Sequence, residues 1–405
     1  MNNMLIAQSG GPTVAINASL SGAIKRAMKH TEIDGIFGAR NGIEGVLEEN
    51  FVDFRRLFHD EDDFVRLKAT PAMVLGSCRR RLAEKPDETY EKILNIFRKY
   101  QIKYFFYIGG NDSMDTVMKL SAYFEEIGED IKVVGIPKTI DNDLAVTDHT
   151  PGFGSAARYI ATTIAEIAAD SDIYSAPSIT VVEIMGRNAG WLTAAASLAR
   201  RDGCSAPHII LLPEVPFDEE AFLRKVAEEH KKHHHLIIAA SEGIKTPDGK
   251  YISASSAPWD SFGHTMLSGV GNKLKDLISQ HFPVKMRAIE LNVLQRAAGH
   301  LKSETDIHES SRIGAEAVSM AVAGKTGIMM TFNRLSNHPY IIKFDYVDIK
   351  EVANVEKKIP LEWISDMDIT EELTEYLYPL ILNTKSRQGG IPSFFTIKEE
   401  DCFKW

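Results

Sequence analysis

The chain has 405 residues, 44% of them hydrophobic and 25% charged, which is the balance of a soluble globular protein too long for one simple core. A net charge of −10 gives it no reason to seek nucleic acid or an anionic membrane, since both recruit an excess of Lys and Arg. No apolar run reaches the roughly 20 residues of a membrane span, and no secretory pattern opens the chain; the scattered cysteines Cys78, Cys204 and Cys402 suit a reducing, cytoplasmic setting rather than a disulfide framework or a zinc site.

In chain order, short apolar runs alternate with helical patterns. The strand-like runs are Met4–Ala7, Tyr104–Ile108, Val133–Ile136, Ile179–Ile184, Ile209–Leu212, Leu236–Ala240 and Ile328–Thr331. They are rich in Ile, Val, Phe and Tyr and mostly lack polar alternation, the pattern of parallel strands buried on both faces. Between them, Leu20, Ile24, Ala27 and Met28 share one helical face, as do Ala157, Ile160, Ala161, Ile164, Ile167 and Ala168. The alternation predicts an α/β fold with parallel sheets. His233-His234-His235 reads as a polar helix end and loop rather than a metal tract, because consecutive helical residues point different ways. After about Ile349 the periodicity weakens.

In such sheets ligands bind where strands give way to helices. Four loops sit at those points. Ser9-Gly10-Gly11-Pro12-Thr13 can bring backbone N–H groups to an anion beside a helix start, or can be a steric turn. In Gly109-Gly110-Asn111-Asp112-Ser113, either Asp112 or Ser113 caps the next helix, or the turn binds phosphate or metal. Pro137-Lys138-Thr139-Ile140-Asp141-Asn142-Asp143 is the sharpest: two carboxylates two residues apart, beside Lys and Thr. Phosphoryl transfer needs that density, with a carboxylate to accept a hydroxyl proton and a cation for the moving charge. Met185-Gly186-Arg187 puts a guanidinium fork where a helix dipole mildly disfavours it, unless it binds an anion. Downstream, Glu242 can meet sugar hydroxyls and Arg287 or Arg296 a phosphate, or each is a solvated charge.

Taken together and in this order, the four loops resemble the phosphofructokinase family, through about residue 330. Within it the chain resembles the pyrophosphate-dependent branch, because ATP users typically have Gly at the positions of Asp112 and Lys138. The resemblance implies a two-lobed α/β fold with mainly parallel sheets flanked by helices and the active site in the cleft. The expected division is 1–140 with 255–305 as the phosphoryl-donor lobe, 141–254 with 306–349 as the sugar-phosphate lobe, and 350–405 as a tail packed on both.

The resemblance also implies roles. Asp141 is the base for the 1-hydroxyl of fructose 6-phosphate, with Thr139, Ile140 and Asp143 at the same end of the sugar. Lys138 and Asp112 act at the donor, which Gly10, Gly11, Arg79, Gly110 and Ser113 cradle. Met185, Gly186, Arg187 and Glu242 hold the sugar phosphate, with Arg296 and, from a neighbouring subunit, Arg287. The implied cofactor is Mg²⁺, at Asn111, and the implied assembly is a homodimer or homotetramer. Three positions depart from the family pattern: Asn111 replaces an Asp, Val293 a His or Tyr, and Ser178 a partner-subunit Arg of ATP users. The competing readings are an ATP-dependent kinase and a non-catalytic subunit that binds a sugar phosphate.

Overall fold

The first apolar run folds as β1, Asn3–Gln8, buried along its whole length, and the helix Ile16–Ala27 follows it. A computed structural model describes residues 1–253, 269–382 and 401–403. The next strands are β2 (Ile36–Ala39), β3 (Phe51–Asp53), β4 (Ile102–Gly109) and β5 (Lys132–Pro137). Then come β6 (Ser178–Ile184), β7 (Ile209–Leu211), β8 (His235–Ser241) and β9 (Lys285–Glu290). The long hairpin β10 (Ile328–Asn337) and β11 (Tyr340–Asp348) is followed by β12 (Ile364–Ser365), β13 (Asp368–Ile369) and β14 (Cys402–Phe403).

Two large sheets carry the molecule. The first runs β11-β10-β5-β4-β1-β2-β3-β14 and the second β7-β8-β6-β9. Every pair in the second sheet is parallel, and so is the centre of the first, from β10 to β2. Within these two sheets antiparallel pairing is confined to the first sheet's margins, at β10/β11, β2/β3 and β3/β14, and β12 pairs antiparallel with β13 in a small sheet of their own. All seven apolar runs noted above became strands. Sheet membership departs from the expected division, however. β9, within 255–305, pairs with β6 in the second sheet, whereas β10 and β11, within 306–349, belong to the first. The chain therefore returns to the first sheet through the helix Glu304–Val322, which packs on Ile16–Ala27. That crossing is close: a Cβ on Gly22 would stand 1.7 Å from Ser311 O, and one on Gly314 2.0 Å from Ser19 O. Only glycine lets the two backbones approach so far.

Each sheet is covered by apolar side chains on both faces. The segment after β11 divides between them. Ile349 and Val352 join the core around β4, and Ile359, Leu373, Tyr376 and Leu380 join the core around β6. Of the His233–His235 run, His233 ends the helix Glu219–Lys232, but His235 opens β8 and is buried, bonded to the Tyr174 carbonyl and Ser178 Oγ. Among the described residues no helix is long and apolar enough to cross a membrane.

Candidate active site

The carboxyl ends of β1, β4, β5, β6 and β8 open into one cleft of about 850 Å³. Every residue expected at the site lines it except Gly186 and Arg287. Gly186 supplies instead the backbone turn between Met185 and Arg187, at φ +141°. A side chain is poorly tolerated there.

At one end stand the glycine loop after β1 and the start of the helix Asn111–Glu126. Ser9 Oγ and Ser113 Oγ lie 2.5 Å apart and tie the two together. Gly10 sits at φ +80°, and a Cβ there would come within 3.0 Å of Lys138 Nζ. Lys138 is 2% exposed and donates its ammonium to Gly11 O at 2.7 Å. Burial lowers its pKa from 10.5 to about 8, against the pull of Asp141. The helix N-cap is Gly110 and carries no side-chain cap. The capping alternative for Asp112 and Ser113 therefore fails. Ser113 faces Ser9, and Asp112, in the first turn, accepts from Arg81 Nη2 at 2.6 Å. Arg79 lines the cleft together with Arg80 and Arg81.

The acid loop follows β5. Asp141 N donates to Thr139 Oγ1 at 3.0 Å, and Thr150 Oγ1 donates to Thr139 O at 2.8 Å. Burial raises the pKa of Asp141, opposed by Arg296, by Lys138 of the same loop and by Arg187. Burial and the neighbouring Asp141 carboxylate push Asp143 up to about 7. On the second sheet, Gly186 N donates to Glu242 Oε1 at 3.3 Å, and burial raises Glu242 to about 7. Lys138, Arg187 and Arg296 thus face Asp141, Asp143 and Glu242 across one cleft. Such a site can bind phosphate groups and draw a proton from a hydroxyl between them.

Two placements differ from expectation, those of Arg296 and Asn111, whereas Arg287 lies outside its own cleft, where a residue serving a neighbouring subunit would stand. Arg296 reaches the donor loop: its Cζ would lie 3.9 Å from a Cβ on Gly11. Arg287 lies on β9 outside the cleft and donates to Asp170 Oδ2 at 2.9 Å. Asn111 commits both ends of its amide to the chain, with Nδ2 donating to Val355 O at 3.0 Å and Oδ1 accepting from Asn354 N at 2.6 Å. Of the departures from the family pattern, Val293 lines the cleft, 59% exposed, while Ser178 pairs with His235.

Sequence reasoning missed Arg80, Arg81, Asn354 and Glu356, all of which line the cleft. The run Arg79-Arg80-Arg81 was a legible signal, three cations together in an acidic chain. Asn354 and Glu356 carried none, because only the fold brings them to loops more than 200 residues away.

Comparison with known proteins agrees with this geometry. A family model described as phosphofructokinase matches residues 3–321. The pyrophosphate–fructose 6-phosphate 1-phosphotransferase of Methylococcus capsulatus is 40% identical over 404 residues, covering 98% of this chain and 96% of that protein. The protein of that name from Halomonas elongata is 39% identical, covering 94% and 92%. Among solved structures, the pyrophosphate-dependent phosphofructokinase of Nitrosospira multiformis superposes with a TM-score of 0.88 at 36% identity, covering 98% of this chain and 97% of that one.

Proposed function

The chain belongs to the phosphofructokinase family, and we propose that it transfers a phosphoryl group reversibly from pyrophosphate to the 1-hydroxyl of fructose 6-phosphate. The products are fructose 1,6-bisphosphate and phosphate, a step of glycolysis and gluconeogenesis in the cytoplasm. The observation that carries this reading is the junction of Lys138 and Asp141. The ammonium is anchored on the donor loop at Gly11 O, three residues from the carboxylate it attracts. Two of the relatives most similar in sequence bear a pyrophosphate-using name over nearly their full length.

Asp141 accepts the hydroxyl proton as the oxygen attacks the phosphorus in line. Lys138, Arg296 and the N–H groups of the Gly10–Gly11 loop meet the charge that gathers on the phosphoryl oxygens. Arg187 and Glu242 bind the phosphate and hydroxyls of the sugar. No covalent enzyme intermediate is needed. Exchange of a phosphoanhydride for a sugar ester with release of phosphate is readily reversible.

Members of the family generally use a divalent metal, and Mg²⁺ is our assignment. No group of three or more His, Cys, Asp or Glu among the described residues forms a metal cage. That fits an ion held chiefly by phosphate oxygens and water, with Asn111 and Asp112 as the protein oxygens at the donor end. When bound, it would neutralise charge on the transferred group. We further propose a homodimer or homotetramer in which Arg287, outside its own cleft, serves the neighbouring one.

A coupled assay of purified protein with fructose 6-phosphate, comparing pyrophosphate and ATP, tests the proposal. Turnover with ATP and none with pyrophosphate would overturn the donor assignment. No turnover with either would favour a sugar-phosphate-binding subunit, although Asp141, Asp143, Lys138 and Arg187 would then stand in a cleft with nothing to catalyse.

A further inference from the structure

The segment Asn354–Lys357 lies far from every loop considered above in sequence, yet it touches three of them. Asn354 N and Val355 O bond both ends of the Asn111 amide, at the start of the donor-end helix. Glu356 forms an antiparallel bridge with Leu144, and Lys357 N donates to Asp143 O at 2.7 Å, so the acid loop gains a short extra strand partner. Glu356 Oε1 accepts from Asn188 Nδ2 at 2.7 Å, and Lys357 O accepts from Trp191 Nε1 at 3.0 Å, both just beyond Arg187.

The Lys357 ammonium spans the acid loop itself. It donates to Asp148 O at 2.7 Å, Thr147 O at 3.1 Å and Asn142 Oδ1 at 3.2 Å. Those acceptors use all three N–H groups of an ammonium. The loop they close contains two non-glycine residues in the left-handed region, Asn142 at φ +55° and Val146 at φ +64°. For a β-branched residue this conformation is strained, and it persists only where the surroundings over-determine it. Lys357 does not line the cleft.

We infer that Asn354–Lys357 is a strap that positions the donor helix, the acid loop and the Arg187 loop against one another, and that Lys357 is the residue that holds the acid loop in its working shape. The inference rests on the phosphoryl-transfer reading above. Lys357 is a positioning residue: its hydrogen bonds orient the turn that carries Asp141 and Asp143, and its charge favours the ionised form of Asp143. Burial lowers its pKa to about 7, partly offset by Asp148 and Asp143. A mobile surface lysine would keep its ordinary value.

The test uses the full-length protein with Lys357→Met, which keeps the chain length and removes the charge, and Lys357→Gln as a milder variant if the first folds poorly. Three measurements are needed: steady-state kinetics with pyrophosphate, calorimetric binding of fructose 6-phosphate, and hydrogen exchange of the amides of residues 141–147. We expect kcat to fall at least 100-fold, fructose 6-phosphate binding to change less than about threefold, and exchange in 141–147 to rise at least tenfold. Lys357→Cys treated with 2-bromoethylamine, which rebuilds an ammonium at nearly the native reach, should recover at least a tenth of the lost rate, with wild type treated in parallel. A kcat within threefold of wild type, or a rate loss matched by an equal loss of sugar binding with no local rise in exchange, would overturn the inference. The exchange measurement also separates it from the parent reading: inactive wild type would defeat the proposed reaction, while unchanged exchange in the variant would defeat the strap.

Discussion

Arg81 Nη2 donates to Asp112 Oδ1 at 2.6 Å within the donor end of the cleft. The side chains are 48% and 39% exposed, so the pair adds only about 0.2–1 kcal/mol to stability. Its consequence is for donor choice. A bare carboxylate 4 Å from a phosphate would repel it by roughly 4 kcal/mol at an effective dielectric near 20. Pairing with Arg81 removes much of that repulsion for pyrophosphate, while the bulk of the pair still obstructs a larger donor. Arg81→Ala should therefore raise the KM for pyrophosphate by about tenfold and leave kcat within about threefold. Asp112→Gly should raise the ratio of ATP to pyrophosphate turnover. Steady-state kinetics with both donors checks this, and unchanged values in both variants would mean that the pair does not face the donor.

Asp141→Asn keeps the shape of the side chain and loses the basic oxygen. Turnover should fall by about 10²–10⁴, the usual contribution of a general base. Fructose 6-phosphate should still bind, because Arg187 and Glu242 are untouched. Calorimetry beside the coupled assay separates the two effects, and near-normal turnover would remove Asp141 from the chemistry.

Most of this site was legible before folding because its chemistry sits in contiguous loops. Lys138, Thr139, Asp141 and Asp143 are neighbours in sequence, and buried parallel strands announce themselves by unbroken apolar runs such as Val133–Ile136. The hairpin strand Tyr340–Asp348 was missed because its residues alternate between half-buried and exposed on a sheet margin. β9 was missed because Lys285, Arg287 and Glu290 interrupt it with charge. Asn354–Lys357 could not be read at all: an ordinary polar stretch gains its role only from loops that the fold carries to it. Lobe boundaries failed for a related reason. Local pattern shows that a strand exists, whereas the sheet it joins is decided by crossovers such as Glu304–Val322.

Asn111→Asp tests the donor helix start. A carboxylate cannot donate, so the bond to Val355 O is lost and two oxygens face each other, which should cost about 1–2 kcal/mol of stability. The bond accepted from Asn354 N survives. The added charge should also lower the Mg²⁺ concentration for half-maximal activity. Thermal denaturation reads the first effect and a Mg²⁺ titration the second. A titration that does not move would exclude Asn111 from the surroundings of the ion.

Arg287 is held by Asp170 outside its own cleft. If it completes a neighbouring site, Arg287→Ala should raise the KM for fructose 6-phosphate by tenfold or more with a smaller change in kcat. At low fructose 6-phosphate, mixed Asp141→Asn and Arg287→Ala subunits should then show more activity than the sum of the two variants measured separately, because some clefts would receive an intact residue from each chain. Demonstrated subunit exchange without that excess would count against a shared site.

The titrating groups of the cleft set a narrow working range of pH. Asp143 is raised from 3.8 to about 7 and Glu242 from 4.5 to about 7, while Lys138 is lowered from 10.5 to about 8. Below about 7 Asp143 and Glu242 take up protons and the cleft loses negative charge; above about 8 Lys138 loses the charge that meets the donor. A profile of kcat/KM, which reports the free enzyme, should rise through about 7 and fall through about 8. Stability should run the opposite way. A carboxyl whose folded pKa is raised contributes stability that is full below its unfolded pKa near 4 and is lost as pH climbs through about 7. A lysine whose folded pKa is lowered costs stability while it must stay charged, and that cost is relieved between about 8 and 10.5. The unliganded protein should accordingly be least stable between pH 7 and 8, where it is most active. Asp143→Asn, which has no proton to release, should raise stability at pH 8 by about 2 kcal/mol, since each tenfold change in proton affinity is worth about 1.4 kcal/mol and relaxation of the loop absorbs part. At pH 4 the same variant should match wild type. Melting curves from pH 4 to 10 check both limbs. Equal stability of variant and wild type at pH 8 would show that Asp143 carries no buried charge there, and Glu242 would then be the group left to set the acid limb near 7.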